Sequence, residues 1–385
     1  MSKLKQTSHS PDIPLLTGVL VLLVFGVIMV YDASVVYAYD VFGGKYHFLI
    51  LQSFWALLGL AVAGFVYKVG YRRLSSLSTA FLGASLVLLF LAAWPNIPVL
   101  KHLFFIPRSI YDRFFPEIYG ARRWLILIPG KLSFQPSELA KLGSILYFST
   151  WLSKLKRPAL QFFVPLGLLS GLILFEPDYG TAMVFLGIGL CIYFVSGASL
   201  LKLLPFGALL GALGVLLIIS SPYRMKRLQT YLNPSAADPL SSGYHIQQVL
   251  IAVGSGGPFG LGFGQSRQKY DYLPEVSTDS IFAVIGEELG FIGSVVVLAS
   301  FAFLVYKAFT VAREAGDDLG KLIAVGVGSW LAIQSLVNLG AMTALLPLTG
   351  IPLPLVSYGG SSMIFVMLAM GLLLSVSRHT VRSSK

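Results

Sequence analysis

The sequence predicts an all-α polytopic membrane protein, a bundle of about ten transmembrane helices with two long extracytoplasmic loops. Three observations carry that prediction. Of the 385 residues, 56% are hydrophobic and the mean hydropathy is +0.78, well above an average soluble domain. Apolar runs of about 20 residues, the length a helix needs to cross the hydrocarbon core, recur along the whole chain. The runs lack the strict alternation of a membrane barrel, and backbone groups in lipid must be satisfied internally, so the spans are helices.

Taken in order, residues 1–12 form an N-terminal tail in which Lys3 and Lys5 precede the first apolar run. That run, Ile13 to Tyr31, is too long for a signal-peptide core and no convincing cleavage site follows, so it reads as an uncleaved span. The ten spans fall at about 13–34, 47–69, 76–95, 136–154, 158–176, 179–197, 200–220, 280–306, 322–346 and 361–378, with 379–385 as a C-terminal tail. A cytoplasmic N-terminus places Lys68, Arg72, Arg73, Lys154, Lys156, Arg157, Lys202, Lys307, Arg313 and Lys321 inside, as the positive-inside rule asks. An even number of spans returns Arg378, Arg382 and Lys385 to the same side.

The net charge of +11 is spread over loops between spans, so topology explains it better than nucleic acid. Cys191 is the single cysteine and lies in an apolar run, which excludes an internal disulfide. His9, His47, His102, His245 and His379 are scattered and offer no metal-ligand spacing.

Two loops depart from the charge rule. The first, about 96–135, interleaves Lys101, Arg108, Arg113, Arg122, Arg123 and Lys131 with aromatic residues, the composition of a segment lying in the membrane interface. The second, about 221–279, carries Arg224, Lys226, Arg227, Arg267 and Lys269. Outer cations point either to an anionic ligand or to anionic lipid head groups, and charge alone does not decide. Within the second loop, 260–290 is unusually charged, with Asp271, Glu275 and Asp279 beside Arg267 and Lys269. The glycine-rich run 254–264 lacks the strand–turn–helix setting of a nucleotide site. It reads as a re-entrant or loop backbone with tight turns that can present N–H groups to a phosphate.

Ionisable residues inside spans are costly and mark sites by default. Glu138 and Lys141 are three apart on one face of the fourth span, and either fix packing as a buried pair or act directly. Glu287 and Glu288 lie one to two turns into the eighth span. Gln334 and Asn338 share a face of the ninth and are expected to hydrogen-bond to neighbouring helices. Gly207 and Gly211 predict close helix packing in the seventh.

Six motifs then carry a resemblance. They are GARRW (120–124) with FQPSELAKL (134–142), EPDYGTA (176–182), GYHIQQ (243–248), the run 254–290, and PLPLVSYGGSS (352–362). In identity, order and spacing they resemble the SEDS family of shape, elongation, division and sporulation proteins, ten-span peptidoglycan glycosyltransferases. GQSRQKYDYLPE is similar to the division, FtsW-type branch rather than the elongation, RodA-type branch. The resemblance implies an enzyme polymerising lipid II, an undecaprenyl-pyrophosphate-linked disaccharide-pentapeptide, on the outer face of the bacterial cytoplasmic membrane, at the division septum. It implies that Asp279 is the catalytic aspartate and that Glu138 and Lys141 are the family's buried pair. It further implies a class B penicillin-binding protein as crosslinking partner, together with other division proteins and membrane lipids. Two features depart from the family pattern: Ser277 stands where many relatives have His, and the loop 101–119 is longer than usual and is expected to hold an interfacial helix.

The chemistry of the residues is compatible with this. A positioned carboxylate suits removal of a proton from an acceptor hydroxyl. Arg122, Arg123, Arg224, Arg227, Arg267 and Lys269 are the cations available to a departing pyrophosphate, and Glu275 is a further candidate for substrate binding. A divalent cation beside the pyrophosphate is admitted, but no ligand cluster demands one. Asp279 has a competing reading as the N-cap of the eighth span. Two rival functions remain open from sequence: a lipid II flippase whose polar path is lined by Glu138, Lys141, Glu287 and Glu288, and an inactive scaffold.

Overall fold

Among the described residues, ten helices form where the apolar runs predict them. The structure is a computed structural model that describes residues 10–97, 107–118, 120–128, 132–154, 160–199, 201, 203–219, 225, 229, 231–232, 243–270 and 272–380. In order these helices are α1 (Ile13–Phe42), α2 (His47–Val69), α4 (Ser78–Ala93), α6 (Pro136–Leu152), α7 (Leu160–Phe175), α8 (Tyr179–Val195), α9 (Leu203–Ile219), α11 (Ile281–Glu314), α12 (Asp318–Met342) and α13 (Gly360–Ser377). Six of the helices are long and apolar enough to cross a membrane by length and composition, and α7 and α8 are shorter apolar helices. Short elements fill the connections: α3 (Tyr71–Ser76), α5 (Arg108–Phe114), the hairpin β1 (Leu125–Ile128) with β2 (Leu132–Phe134), and α10 (Tyr244–Ser255).

Burial divides the bundle. The apolar windows of α12 and α13 are 83% and 78% buried, and almost every residue of α6 is buried, so these three form the centre. The corresponding window of α11 is only 22% buried, which leaves its Phe291, Val296 and Tyr306 on the outside where lipid tails replace protein contacts. Gly207 and Gly211 of α9 do not pack closely: a Cβ built on either meets nothing within 4 Å among the described residues.

Helix ends follow capping chemistry. α1 starts at Asp12, whose carboxylate accepts the Leu15 N–H at 3.0 Å, and stops at Gly43, a left-handed residue whose N–H reaches Tyr39 O. It overruns the predicted end at 34 by two turns. The charge at Asp32 does not break it because Lys269 pairs with that carboxylate.

The loop predicted at 221–279 is not wholly loop. Tyr244–Ser255 is a helix that packs on α11 through buried Ile246, Val249 and Ala252, spaced three apart. It is too short and too polar for a span filter to find. Within 101–119 the segment Arg108–Phe114 is a helix, α5; residues 98–106 and 119 lie outside the described residues. The Tyr111 hydroxyl of α5 donates to Leu91 O at 2.7 Å, which docks the helix on the end of α4.

The most consequential departure is inside α11. At Gly290 the backbone takes φ 65 and ψ −162, so the helix is two helices joined by a break. Carbonyls before the break and N–H groups after it lose their helical partners and cannot be left bare in an apolar interior. The glycine-rich run supplies the missing partners. Leu261 N–H donates to Glu287 O and Gly262 N–H to Glu288 O, each at 3.0 Å, while Phe291 N–H and Ile292 N–H donate to Gly257 O and Pro258 O. The two backbones come so close that a Cβ on Gly290 lies 2.7 Å from the Phe259 carbonyl carbon. The expected tight turns are present, with Gly257, Gly260, Gly262 and Gly264 at positive φ, but the Leu261 and Gly262 N–H groups are spent on α11 and are not available to a phosphate.

The end of the bundle where the Asp12 N–H donates to Ser377 Oγ is tied by Asp317, the N-cap of α12. Its Oδ1 accepts the Gly320 N–H at 2.7 Å, and its Oδ2 takes Arg72 Nη2 at 2.7 Å and the Tyr71 hydroxyl at 2.9 Å. Burial alone raises the pKa of this carboxyl, but the Gly320 N–H, Arg72 and Tyr71 outweigh it and hold the pKa below its ordinary value. Two predictions follow from these contacts. A lowered carboxylate pKa gives stability that is complete above the unfolded-state value of about 3.9 and is lost as pH falls through the folded one. Thermal melts in detergent across pH 2–6 are therefore expected to show a smaller acid-side loss in Asp317→Asn than in wild type; equal slopes refute the contribution. Gly290→Val is expected to cost at least about 2 kcal/mol, because that backbone region admits essentially only glycine and the added carbons meet the Phe259–Gly260 backbone. A melt unchanged from wild type contradicts the role given to the break.

Candidate functional site

Asp279 lies in a run of turns immediately before α11, and the site is built from the way that turn is held. The residue at the N-cap position of α11 is Ser280, one after Asp279, and its own side chain makes no cap bond. The Ser280 hydroxyl donates to Pro274 O at 2.9 Å and lies 2.8 Å from His245 Nε2 on α10. Glu275 sits at φ 51, a left-handed conformation unusual for a side-chain-bearing residue, and its carbonyl accepts the N–H groups of Thr278 and Ser280. Its carboxylate accepts the Thr278 hydroxyl at 2.8 Å. Glu275 thus shapes the turn while its side chain stays exposed.

From the other side the turn is clamped by the segment 349–358 that leads into α13. Tyr358 N–H donates to Ser277 O at 2.8 Å, and the Ser357 hydroxyl donates to Thr278 O at 2.6 Å. Asn338 of α12 donates to Asp279 O and to Ile351 O, both at 2.8 Å. The carboxylate itself lies over Gly350, where an added Cβ would come within 3.3 Å of Asp279 Oδ2. Gly350 adopts φ 72, so both its backbone and the space above it call for glycine.

The clamp is anchored in the buried centre. Lys141 Nζ donates to Glu138 Oε1 at 2.8 Å and to Gln334 Oε1 at 2.9 Å, and lies 4.6 Å from the centre of the Trp330 ring. Gln334 passes this on by donating to Pro352 O at 2.8 Å. The predicted Glu138–Lys141 pair therefore exists, almost wholly buried, and its nearest consequence is to orient Gln334. Gln334 reaches α6, as expected of a polar residue between helices, whereas Asn338 reaches the site segments instead.

The candidate cations separate into distinct groups. Arg122 is bound inside its own loop, at 2.6 Å from both Asp112 Oδ1 and Phe115 O and 3.5 Å from Glu117 Oε2. The expected place of Lys269 on substrate is corrected by its burial. It is 3% exposed and pairs with Asp32 of α1 at 2.8 Å and Glu288 at 2.9 Å. Burial alone lowers its pKa, but the two carboxylates outweigh burial and raise it. Arg123 donates to Glu176 O at 3.1 Å and Pro177 O at 2.5 Å, fastening its loop to the α7–α8 turn. That turn adjoins the clamp, since Gly180 packs on Ile351 and Thr349. Arg267 is exposed, while Arg224 and Arg227 lie outside the described residues.

Glu287 and Glu288 do not line a polar path. Glu287 accepts the N–H groups of Arg267 and Gln268 and the Ser266 hydroxyl, and Glu288 accepts those of Gly264 and Ser266 together with Lys269. They hold the 264–269 backbone on α11. Sequence reading passed over Glu176 as one letter of a motif, yet it is fully buried with neither carboxylate oxygen hydrogen-bonded among the described residues. Its signal was an acid at the end of an apolar run. No cluster of three or more metal-ligating side chains exists among the described residues.

A family model described as cell cycle protein, of FtsW, RodA and SpoVE, matches residues 14–382. The chain belongs to this family. It is 40% identical to the stage V sporulation protein E of Bacillus subtilis, with 96% of this chain and 98% of that protein covered. It is 39% identical to the probable peptidoglycan glycosyltransferase FtsW of Thioalkalivibrio sulfidiphilus, covering 97% and 90%. Among solved structures, a chain from a study of coordinated polymerization and crosslinking by a peptidoglycan synthase complex matches with a TM-score of 0.72 at 30% identity, over 97% of this chain and 99% of that one. The rod shape determining protein RodA of Thermus thermophilus matches with a TM-score of 0.66 at 29% identity, covering 97% and 98%. Within the FtsW/RodA/SpoVE family, then, this member holds its Asp279 turn between three separate elements.

The placement of Lys269 gives a test. Lys269→Met leaves two buried carboxylates without their cation and is expected to cost about 3–5 kcal/mol, whereas Arg267→Ala on the exposed side chain stays within about 0.5 kcal/mol. Denaturation in detergent micelles compares them, and equal stability of the two variants contradicts the assignment.

Proposed function

We infer that this protein is a peptidoglycan glycosyltransferase that polymerises lipid II at the outer face of the bacterial cytoplasmic membrane during septal wall synthesis, with Asp279 as general base. The observation that carries the reading is a carboxylate held by its backbone from α12 and the 349–358 segment, in a chain about 39–40% identical over its length to FtsW and stage V sporulation relatives. The elongation alternative is less supported, the RodA structure being 29% identical.

Polymerisation forms one glycosidic C–O bond. The acceptor hydroxyl loses its proton, its oxygen bonds to the anomeric carbon of the donor sugar, and the bond from that carbon to the lipid pyrophosphate breaks. Asp279 takes the proton, which fits a carboxylate whose position is fixed before substrate arrives. Arg123 and Arg267, with Arg224 and Arg227, are the cations proposed for the leaving pyrophosphate. Supporting the placement, Arg123 lies on the turn packed against the Asp279 clamp. Both termini are proposed to be cytoplasmic, which puts Asp279 at the opposite, outer end. A class B penicillin-binding protein is proposed as the partner that crosslinks the product, with other division proteins at the septum. A divalent cation beside the pyrophosphate is a further proposal, separable by chelation.

The flippase reading is disfavoured by the pairing of Glu138, Lys141, Glu287 and Glu288 with neighbours. The deciding experiment purifies the full chain with its transpeptidase and supplies lipid II in detergent, where sidedness is lost. Wild type is expected to make glycan chains, and Asp279→Asn to slow that by about 10²–10⁴-fold. Polymer at the wild-type rate from the variant sinks the mechanism, and none from folded wild type sinks the activity.

A further inference from the structure

We infer that Asn338 is a positioning residue for the reaction, setting the separation between the two walls of the Asp279 site. This rests on Asp279 being the base. Asn338 sits on α12 and is 1% exposed. Its single amide nitrogen donates one hydrogen to Asp279 O and the other to Ile351 O, at 2.8 Å each. The first acceptor belongs to the same residue as the reacting carboxylate, so the bond fixes the Cα from which that side chain projects. The second belongs to the residue after Gly350, against which Asp279 Oδ2 lies. One side chain therefore holds both the carboxylate's origin and the surface it rests on.

The assignment of nitrogen and oxygen in this amide follows from its partners. Turning it over would set Oδ1 against two carbonyl oxygens, and Oδ1 as placed has no hydrogen-bond partner among the described residues. A group selected only to fill a buried gap has no need of a two-hydrogen donor at this point. One turn earlier Gln334 makes the corresponding bond to Pro352 O and is itself oriented by Lys141. The 351–352 backbone is thus held at two successive carbonyls, but only the Asn338 bond also reaches Asp279. Asn338 touches neither substrate nor the transferred proton; it acts through Asp279.

The test uses the full chain with its transpeptidase, lipid II in detergent, and three variants. Asn338→Asp keeps the shape and replaces the donor by an acceptor, Asn338→Leu removes both hydrogen bonds, and Asn338→Ser retains one donor. The expected result is a fall in kcat of about 100-fold for Asp and Leu, as misplacement of a reacting group by about an ångström produces, with KM within about threefold of wild type. Ser is expected to recover part of the loss. The acid limb of the kcat–pH profile is expected to move in the Leu variant, because the carboxylate no longer rests on Gly350 in the same way; a residue that only supported the fold would leave it in place. Thermal melts establish the folded fraction used for each kcat. Wild-type kcat per folded enzyme, equal losses for Ser and Leu, or an unmoved acid limb would each overturn the inference. Failure of all three variants to fold would do the same, making Asn338 a packing residue. Absence of polymer from wild type would instead count against the proposed activity, so the two failures are distinguishable.

Discussion

A backbone broken inside an apolar bundle must find new hydrogen-bond partners, and the arrangement around Asp279 depends on how this chain meets that demand. Gly290 interrupts α11, and the 256–262 backbone closes the gap on both sides of the interruption. The short helix ahead of the break is thereby fixed as a separate piece, buried from Ile281 to Glu288, and the Asp279 turn leads directly into it. Three charged residues complete the attachment. Asp32, Lys269 and Glu288 connect α1, the loop and the broken helix in one buried cluster, where loss of any member strands the others.

Fixing the turn from α11 settles one side of it only. The other side is supplied by the 349–358 segment, which hangs from α12 by Gln334 and Asn338 and reaches the turn through Ser357 and Tyr358. Glu138 and Lys141 enter at the root of that support. A buried ion pair is weak evidence for stability, since its desolvation offsets most of its attraction. Here its second bond, to Gln334, gives it a more specific consequence: the side-chain amide is locked in one orientation, with its N–H₂ toward Pro352.

The fold was legible because lipid imposes length and apolarity on every span, and both are visible in a single sequence. Ends and connections were less so. α10 was hidden because a twelve-residue amphipathic helix carries neither signal, and the β1–β2 hairpin because its strands are three and four residues long. The site was legible in part. Asp279 and the Glu138–Lys141 pair stood out through motif and spacing. The cations did not sort themselves, because sequence shows a charge without its partner: Lys269 and Arg267 lie two apart in the same loop, yet one is buried between carboxylates and the other is exposed. Asn338 was visible as a polar residue on a helix face, but its acceptors lie 59 and 13 residues away and no local pattern reveals them.

The adjacent arginines Arg122 and Arg123 fasten in opposite directions, one back into its own loop and the other onto the α7–α8 turn. Upstream, Tyr111 pins the same loop to the last turn of α4. The segment 112–121 is therefore secured at both of its ends. A change of length upstream of Tyr111 meets these fastenings before it reaches the carboxylate end. Evolution can thus rebuild this rim for a different neighbour while the chemistry beneath it stays in register.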